Sequence, residues 1–437
     1  MSSSFTRNII SVFGTNVFSI VISLFTGIYL ARILGPEMKG RFEALLVFPL
    51  MIKSFAELGV RQSTMFYIGR EKYTYDRIVS ALIAIFLGTV ILSILLSYLY
   101  YMFISVNSFE GILIWFGLMT IPLNVFISYS AGLFLGLGKI QDFNRQKWLA
   151  LMLNFIFLIV TTCFLDQAII GALLSLVMSN LIIVCLNLKI FYELFGSFRI
   201  RLIDFDVIRS LLGLGIVYGM SLFVLQLVYN MNIVYLERLG TNVDIGYFSV
   251  ATQIANQLWQ IPAAFGVVIM SSSARSNQDT DIELKVMHLL RLSLFLGFIA
   301  LVAIYVFSPY IVPILFGNQF IPAVAVIRAI LPGVYFFLIY KVLSSRLAGI
   351  GKPKYSILVF LPVLLLNGIL NIYLIPDYGA IGAAMGSSMT YIIGALIFAK
   401  VYSRIMHVKM NEMFLIRKED LILLTDFLKG SILRKGK

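Results

Sequence analysis

Three charged side chains at four-residue spacing are the first candidates for chemistry. Lys53, Glu57 and Arg61 lie in or beside residues 42–60, an apolar stretch long enough to cross a membrane as a helix. Four-residue spacing places side chains on one helix face, and a charge within a membrane span usually faces protein or a wet cavity. The triplet therefore predicts a polar stripe with a net charge of +1 that lines a cavity. A Lys–Glu couple that is simply paired near the membrane surface is the alternative.

Amide side chains are concentrated in a second apolar stretch, residues 245–270. Gln253, Asn256 and Gln257 lie close together ahead of Pro262. Amides donate and accept hydrogen bonds, which suits contacts with sugar hydroxyls. They suit hydrogen bonds between helices equally well, and both interpretations stay open.

Further basic residues lie where a membrane protein usually avoids positive charge. Arg328 falls within a predicted span, four residues before Pro332, where it is placed either to bind an anion or to extend to lipid headgroups. Arg32, Lys39 and Arg41 surround one short outer connection. We interpret these three as an anion-handling rim; a loop that is inserted in spite of its charge is the alternative.

The composition favours a membrane environment for all of these residues. The chain has 437 residues, of which 60% are hydrophobic and 13% are charged, whereas soluble domains are about 45–50% apolar and about 25% charged. A soluble protein of this composition would lack the polar groups to cover its surface. Two cysteines and two histidines supply neither a disulfide framework nor a metal centre, so we predict a non-enzymatic protein without a cofactor or metal.

Twelve apolar stretches separated by short polar connections predict twelve transmembrane α-helices. Each is close to the roughly 20 residues that a membrane crossing requires, and continuous apolar runs favour helices over barrel strands. The predicted spans are residues 9–31, 42–60, 78–104, 111–136, 147–165, 168–190, 208–236, 245–270, 286–308, 321–344, 355–375 and 379–403.

The positive charges predict the orientation of these helices. Most of the 34 Lys and Arg residues fall at the two termini and in the even-numbered connections, which places both termini in the cytoplasm. The net charge of +13 then reflects topology rather than nucleic-acid binding. We divide the chain into an N-terminal six-helix lobe (1–190), a cytoplasmic connection (191–207), a C-terminal six-helix lobe (208–404) and a basic cytoplasmic tail (405–437).

The two halves share residues at matching positions, which predicts an internal repeat. An even number of helices in each half gives the copies the same orientation, as in transporters with a pseudo-two-fold axis along the membrane normal. Proline removes a helical hydrogen bond, so matched prolines predict interrupted helices near a central transport site, although membrane helices also tolerate proline. The matched pairs are Gly40 with Gly246, Gly138 with Gly351, Asn154 with Asn367, Pro49 with Pro262 and Pro122 with Pro332.

Several sequence motifs carry a resemblance to a known family. They are LARILGP at residues 30–36, FAELG at 55–59, FGNQF at 316–320, AGIGKPK at 348–354 and IPDYGAIGAA at 375–384. Together they resemble the polysaccharide flippase (Wzx-type) family, which belongs to the multidrug/oligosaccharidyl-lipid/polysaccharide exporter superfamily. The resemblance covers nearly the whole chain.

The resemblance implies a fold, a substrate and a location. It implies two lobes around a central cationic cavity that moves an undecaprenyl-diphosphate-linked oligosaccharide across the bacterial cytoplasmic membrane by alternating access. Lys53 looks like a basic position of the murein-lipid flippase, but the first span lacks that branch's basic residues, which favours an O-antigen or capsule repeat unit. The implied partners are the lipid-linked glycan, membrane lipid and, less directly, polysaccharide polymerase and chain-length proteins, with no nucleic acid.

Two other functions are kept as alternatives. A multidrug extruder of the same superfamily would favour a deep carboxylate; here Glu57 lies between Lys53 and Arg61 on the predicted helix face. A membrane-embedded glycan polymerase or ligase would need outer loops with acid–base residues, and the predicted outer loops are short. The driving ion, a proton or sodium, stays open.

Overall fold

The computed structural model of the protein describes residues 3–165, 168–195, 204–263, 269 and 280–414. These residues form α-helices joined by short turns, without a β-strand. The α-helices are α1 (Ser3–Ala56), α2 (Val60–Gly69), α3 (Tyr75–Phe103), α4 (Gly111–Gly136), α5 (Ile140–Phe164), α6 (Ala168–Phe195), α7 (Phe205–Leu239), α8 (Asn242–Ala255), α9 (Thr280–Phe316), α10 (Ala323–Gly349), α11 (Lys354–Met406) and α12 (Met410–Phe414), with 3-10 turns at Asn256–Trp259 and Asn318–Phe320.

The described part of the chain has nine helices that are long and apolar enough to cross a membrane. Two of these segments, Gly14–Gly69 and Lys354–Met406, have 56 and 53 residues, whereas one crossing takes roughly 20. The prediction of an all-helical, multi-pass membrane protein is confirmed. Twelve crossings, two lobes and cytoplasmic termini stay predictions. Residues 196–203 of the predicted connection, and the predicted tail from residue 415 onward, lie outside the described residues.

The non-helical residues within the two longest helices are glycines. The dihedral angles leave the helical region at Gly35 (φ 67°, ψ 174°) in α1 and at Gly379 (φ 52°, ψ −128°) in α11, where positive φ favours glycine. By contrast, the helices continue through Pro49, Pro122 and Pro332, since neighbouring groups can satisfy the carbonyls that proline leaves free. The interruptions therefore lie at other residues than these predicted prolines.

The matched glycines of the two halves have the same local geometry. Gly138 and Gly351 follow α4 and α10 with φ values of 70° and 74°. In both places the next backbone N–H donates to the carbonyl five residues earlier at 2.8 Å. A left-handed glycine with this bond is the Schellman helix cap. Its occurrence at matched positions supports the predicted internal repeat.

The first and second halves of the chain approach at backbone distance where α1 passes α8. A Cβ atom on Gly40 would lie 1.7 Å from the carbonyl oxygen of Asn242, and a Cβ atom on Gly246 would lie 2.1 Å from that of Pro36. Neither position accepts a side chain unless the two backbones separate. Since Gly40 and Gly246 are a matched pair, each helix presents its repeat-equivalent glycine to the other.

Packing is densest around α10. In its most apolar segment 61% of the residues are buried inside the protein, compared with 11% in α5. The difference arises because α10 is enclosed by α8, α9 and α11, whereas α5 packs against α1 and α6 and borders open space between them. That open space in the first half is the candidate site.

Candidate functional site

A cavity of about 780 Å³ lies among α1, α4, α5 and α6, with two side chains from the second half of the chain. Its lining mixes apolar side chains with polar and charged ones, and basic groups outnumber acidic groups. The charged lining residues are Lys39, Glu43, Lys53, Glu57, Arg61 and Lys147, and the amide and hydroxyl lining residues are Ser23, Thr26, Thr120, Asn124, Ser128, Gln146, Asn154, Ser175, Ser179, Asn180, Gln253 and Gln257.

The predicted charged triplet lines this cavity but does not share a continuous helix face. α1 ends one residue before Glu57, and Leu58 and Gly59 adopt positive φ values of 44° and 65°. Lys53 and Glu57 still contact each other, with 3.8 Å between Nζ and Oε1, whereas Arg61 belongs to α2. The single-face prediction is therefore wrong, although the turn keeps all three side chains at the cavity.

The turn between α1 and α2 is fixed by the second half of the chain. A Cβ atom on Gly59 would lie 2.1 Å from the carbonyl oxygen of Gly215, and one on Gly219 would lie 2.5 Å from the carbonyl carbon of Leu58. Small residues four apart allow such close approach of a neighbouring backbone. The Gly215/Gly219 spacing was the available sequence signal for this contact, which the sequence analysis missed.

The basic groups at this end of the cavity are weakly neutralised. Lys53 is 3.5 Å from Asn124 Oδ1 in addition to its long contact with Glu57. Lys147 donates to Asn16 Oδ1 at 2.6 Å, and the charge of Arg61 acts on the Lys147 ammonium. Within the described residues, neither Arg61 nor Lys147 has a carboxylate at ion-pair distance. Positive charge is therefore in excess here and available to an anion.

Of the three predicted amide residues of the second half, two line the cavity and one does not. Gln253 lies against Gly27 of α1, since a Cβ atom on that glycine would be 2.1 Å from Gln253 Nε2. Gln257 donates to the backbone carbonyl of Gln253 at 3.0 Å, and both glutamines line the cavity. Asn256 begins the 3-10 turn ahead of Pro262 and is absent from the lining.

Arg32 makes a contact between the halves outside the cavity. Its Nε donates to the carbonyl of Leu315 at 2.7 Å, and its Nη2 donates to that of Ile314. These carbonyls lie in the last turn of α9, where helix carbonyls lack intrahelical partners and the dipole favours a cation. Arg32 therefore caps α9 in this structure.

The other basic residues of the predicted rim and span occupy separate places. Lys39 lines the cavity and is bonded to Glu43. Arg41 reaches only the carbonyl of Ser108, at 3.5 Å. Arg328 is exposed, outside the lining, with its guanidinium 4.8 Å from the ring centroid of Tyr305. The structure thus brings Lys39 to the cavity but not Arg32, Arg41 or Arg328.

Several lining residues were missed by the sequence analysis. Lys147 was assigned to the edge of a span, but α5 begins at Ile140, so Lys147 lies about two turns inside the helix. The amide and hydroxyl pairs at four-residue spacing, such as Asn124 with Ser128 and Ser175 with Ser179, were the signal that predicts a common polar face. Among the described residues, no cluster of three or more His, Cys, Asp or Glu side chains is suited to a metal ion.

Comparisons with known proteins agree with this architecture. The family model described as "Polysaccharide biosynthesis protein" matches residues 5–269. A curated relative from Shigella flexneri, "Putative O-antigen transporter", is 23% identical over 168 residues, which is 38% of this chain and 40% of the relative. The chain therefore matches less than half the length of that relative.

Solved structures share the fold. The chain superposes on the lipid II flippase MurJ in an inward closed conformation with a TM-score of 0.74 at 17% identity, covering 96% of this chain and 98% of that one. It also superposes on an inward-facing multidrug resistance MATE family transporter of the MOP superfamily with a TM-score of 0.68 at 14% identity, covering 89% and 94%. The chain belongs to the polysaccharide biosynthesis protein family, which confirms its resemblance to the polysaccharide flippase family. Its apolar helices are those of a multi-pass membrane protein, consistent with the bacterial inner membrane.

Proposed function

We propose that the protein moves a lipid-linked oligosaccharide across the bacterial cytoplasmic membrane by alternating access, with the diphosphate bound in the cavity of the first half. The observation that carries this proposal is the excess of positive charge around Arg61, Lys147 and Lys53. A diphosphate is too costly to move through hydrocarbon without partners. Charge-assisted hydrogen bonds from lysine and arginine replace the water that it loses.

The remainder of the lining suits the sugars of the same substrate. Amides and hydroxyls from α1, α4, α5, α6 and α8 surround the basic groups, and both group types donate and accept hydrogen bonds. The undecaprenyl chain is apolar and remains in the bilayer while the head group enters the cavity. The similarity to a putative O-antigen transporter supports an O-antigen-type repeat unit as the oligosaccharide.

The same lining argues against export of cationic drugs. Each carboxylate in the cavity has a lysine beside it, Glu43 with Lys39 and Glu57 with Lys53. Because four basic side chains face two carboxylates, the lining keeps a net positive charge that repels a cation. We accordingly expect a deletion strain to keep its normal susceptibility to cationic drugs.

Removal of the cavity cations tests the proposal. In a deletion strain complemented with the variant gene, we expect Lys53→Ala, Arg61→Ala and Lys147→Ala each to reduce surface glycan display at unchanged membrane levels of the protein. Loss of a hydrogen bond to a charged group costs about 1.5–3 kcal/mol, which corresponds to roughly tenfold to hundredfold weaker binding of the diphosphate. Display is measured by glycan immunoblotting and membrane level by an epitope tag.

A matched lysine outside the cavity provides the control. Lys354 is exposed at the start of α11, so Lys354→Ala should leave display unchanged. Lys53→Arg keeps the charge and should retain most of the display that Lys53→Ala loses. Normal display by all three alanine variants would contradict the assignment of the cavity.

A further inference from the structure

Lys341 belongs to a helix that is long and apolar enough to cross a membrane, and the cavity lining does not include it. It lies in α10, eight residues before the last residue of that helix, which corresponds to about 12 Å along the axis. Its ammonium is 4.5 Å from the ring centroid of Trp259, 4.9 Å from that of Tyr229 and 5.8 Å from that of Phe337. These distances define an aromatic cage of the kind that holds a cation over ring faces.

Among the described residues, no carboxylate is paired with the Lys341 ammonium in the cage. None of the ion pairs found in the described part of the chain includes Lys341. The hydroxyl of Tyr229 is buried and has no hydrogen-bond partner among the described residues. An intramembrane ionisable residue without a counter-ion is unusual for a structural group and typical of a functional one.

The titratable and charged groups on the surrounding elements are engaged elsewhere. On α11, the Tyr391 hydroxyl points to the carbonyl of Val228 at 3.5 Å. On α10, the Tyr340 hydroxyl donates to Ser356 at 3.2 Å. On α9, Glu283 accepts from Arg346 at 2.6 Å and from Tyr402 at 2.7 Å, while His288 contacts Arg291 at 2.9 Å. The 3-10 turn contributes Trp259 and α7 contributes Tyr229, neither of which carries a charge in the cage.

The cage is joined to the substrate cavity by a single short element. The 3-10 turn Asn256–Trp259 carries Gln257 into the cavity lining at one end and Trp259 over Lys341 at the other. The indole of Trp259 also donates to the carbonyl of Val334 in α10 at 3.1 Å. Short 3-10 segments within a helical run often mark hinges. A change in the charge of Lys341 therefore acts on a residue two positions from the cavity.

We propose that Lys341 is a proton-binding site that couples proton movement to transport. In one state of the cycle its ammonium releases H⁺ to water and becomes a neutral amine, and in another state the amine takes up H⁺ from the opposite side. The neutral amine loses the cation–π attraction that holds Trp259, which frees the 3-10 turn and repositions Gln257. The coupling half of this proposal rests on the proposed function; the proton site itself does not.

The proton site is tested without any glycan. The chain has three tryptophans, so replacing Trp115 and Trp148 with phenylalanine leaves Trp259 as the only reporter. We expect the fluorescence of this purified protein to show a one-proton transition between about pH 6 and about pH 11, a range that brackets the ordinary lysine pKa. Lys341→Met should abolish the transition. Lys341→Arg should also abolish it while keeping the cage occupied, because arginine stays charged.

Two further variants identify the group that titrates. Lys354→Met, at an exposed lysine 5.6 Å from the Tyr355 ring, should keep the transition. Tyr229→Phe should also keep it. A transition that survives both Lys341→Met and Lys341→Arg, or that disappears in Tyr229→Phe, would overturn the proposal. So would a parent protein that shows no transition.

The coupling is tested in cells by the charge-locked variant. Lys341→Arg should reach the membrane at the parental level and lose surface glycan display, whereas Lys354→Arg should keep it. Parental display by Lys341→Arg would overturn the coupling. If the parent protein itself failed to restore display in the deletion strain, the proposed function would fall, and the Trp259 titration would still decide the proton site.

Discussion

The two halves of the molecule place matched residues in opposite environments. Asn154 and its hydrogen-bond partner Ser175 line the cavity, 3.1 Å apart. The matched Asn367 bonds Thr390 at 3.2 Å, and both of these side chains are fully buried. The matched asparagine thus makes a side-chain hydrogen bond once beside open space, where it accepts from Ser175, and once inside a packed core, where it donates to Thr390.

The size of the neighbouring side chains accounts for this difference. Seven residues before the matched asparagine, the first half has Lys147 in the cavity lining and the second half has Phe360, which is fully buried. Five residues after the matched proline, the corresponding pair is Ile127 in the lining and Phe337, also fully buried. Aromatic rings therefore fill in the second half the volume that remains open in the first.

The largest expected loss of stability follows from removing a buried aromatic ring of the second half. Phe337 contacts the rings of Tyr229, Trp259, Tyr340, Phe360 and Tyr391. We expect Phe337→Ala to lower the free energy of unfolding by about 3–5 kcal/mol, because it leaves a cavity in a packed core. The matched Ile127→Ala should cost no more than about 1–2 kcal/mol, since Ile127 already borders open space.

Thermal or denaturant unfolding of both variants in the same detergent measures this difference. Gly88→Ala serves as a control for purification and detergent treatment, because an added Cβ at this position meets nothing within 4 Å. Equal losses for Ile127→Ala and Phe337→Ala would show that the two halves are packed alike, against the comparison drawn above.

An intermediate effect on stability is expected at the two matched helix caps, which have the same backbone geometry. Gly138 and Gly351 both have positive φ, and an added Cβ at either meets nothing within 4 Å. Gly138→Ala and Gly351→Ala should therefore each cost about 1–2 kcal/mol, from backbone strain alone. The same unfolding measurement tests this prediction. Clearly different losses of unfolding free energy in the two variants would mean that the two caps contribute unequally to stability.

The smallest effect on stability is expected at an exposed contact between α3 and the N-cap of α7. Arg77 Nε donates to Asp204 Oδ2 at 2.6 Å, and this bond, followed by backbone N–H donors, lowers the pKa of Asp204 below its ordinary 3.8. A depressed carboxyl pKa contributes stability above the unfolded value, and that stability is lost as the pH falls through the folded value. The stability difference between the parent and Arg77→Gln should therefore be small at neutral pH, begin to shrink as the pH falls below about 3.8, and vanish only below the lower pKa that Asp204 has in the folded protein.

Arg145→Gln is the matched comparison within one half. Arg145 lies 3.3 Å from Asp142, one helical turn away, and pairs of this kind contribute little. Unfolding curves at neutral and acidic pH would therefore distinguish the Arg77–Asp204 contact, which joins two elements, from the Arg145–Asp142 contact within one helix. A difference for Arg77→Gln that persists unchanged in acid would exclude the Asp204 contact as its cause.

The sequence predicts the scaffold better than it predicts the site. Apolar runs and the repeated glycines at 138 and 351 indicate the membrane helices and the repeat, because span length and positive φ are local properties. The turn after Lys53 was not predicted, since it depends on the close approach of Gly215 and Gly219 from a distant helix.

The same limit applies to the basic residues. Lys147 and Lys341 resemble ordinary lysines near the ends of apolar runs, and only the structure separates the first, beside a cavity, from the second, within an aromatic cage. Arg32 and Arg328 share an unusual location in the sequence, yet Arg32 caps a helix and Arg328 lies over the ring of Tyr305. Side-chain chemistry is readable from one chain, whereas its partners depend on tertiary contacts.

The cap that Arg32 places on α9 also bears on how the protein is made. The carbonyl of Leu315 that it binds is synthesised 283 residues after it. At about 5–20 residues per second, this interval is roughly 14–57 s. During that time the guanidinium of Arg32 lacks the carbonyl groups that it caps in the finished protein. The contact between Arg32 and the end of α9 therefore forms late in synthesis, after the whole first half of the chain has been made.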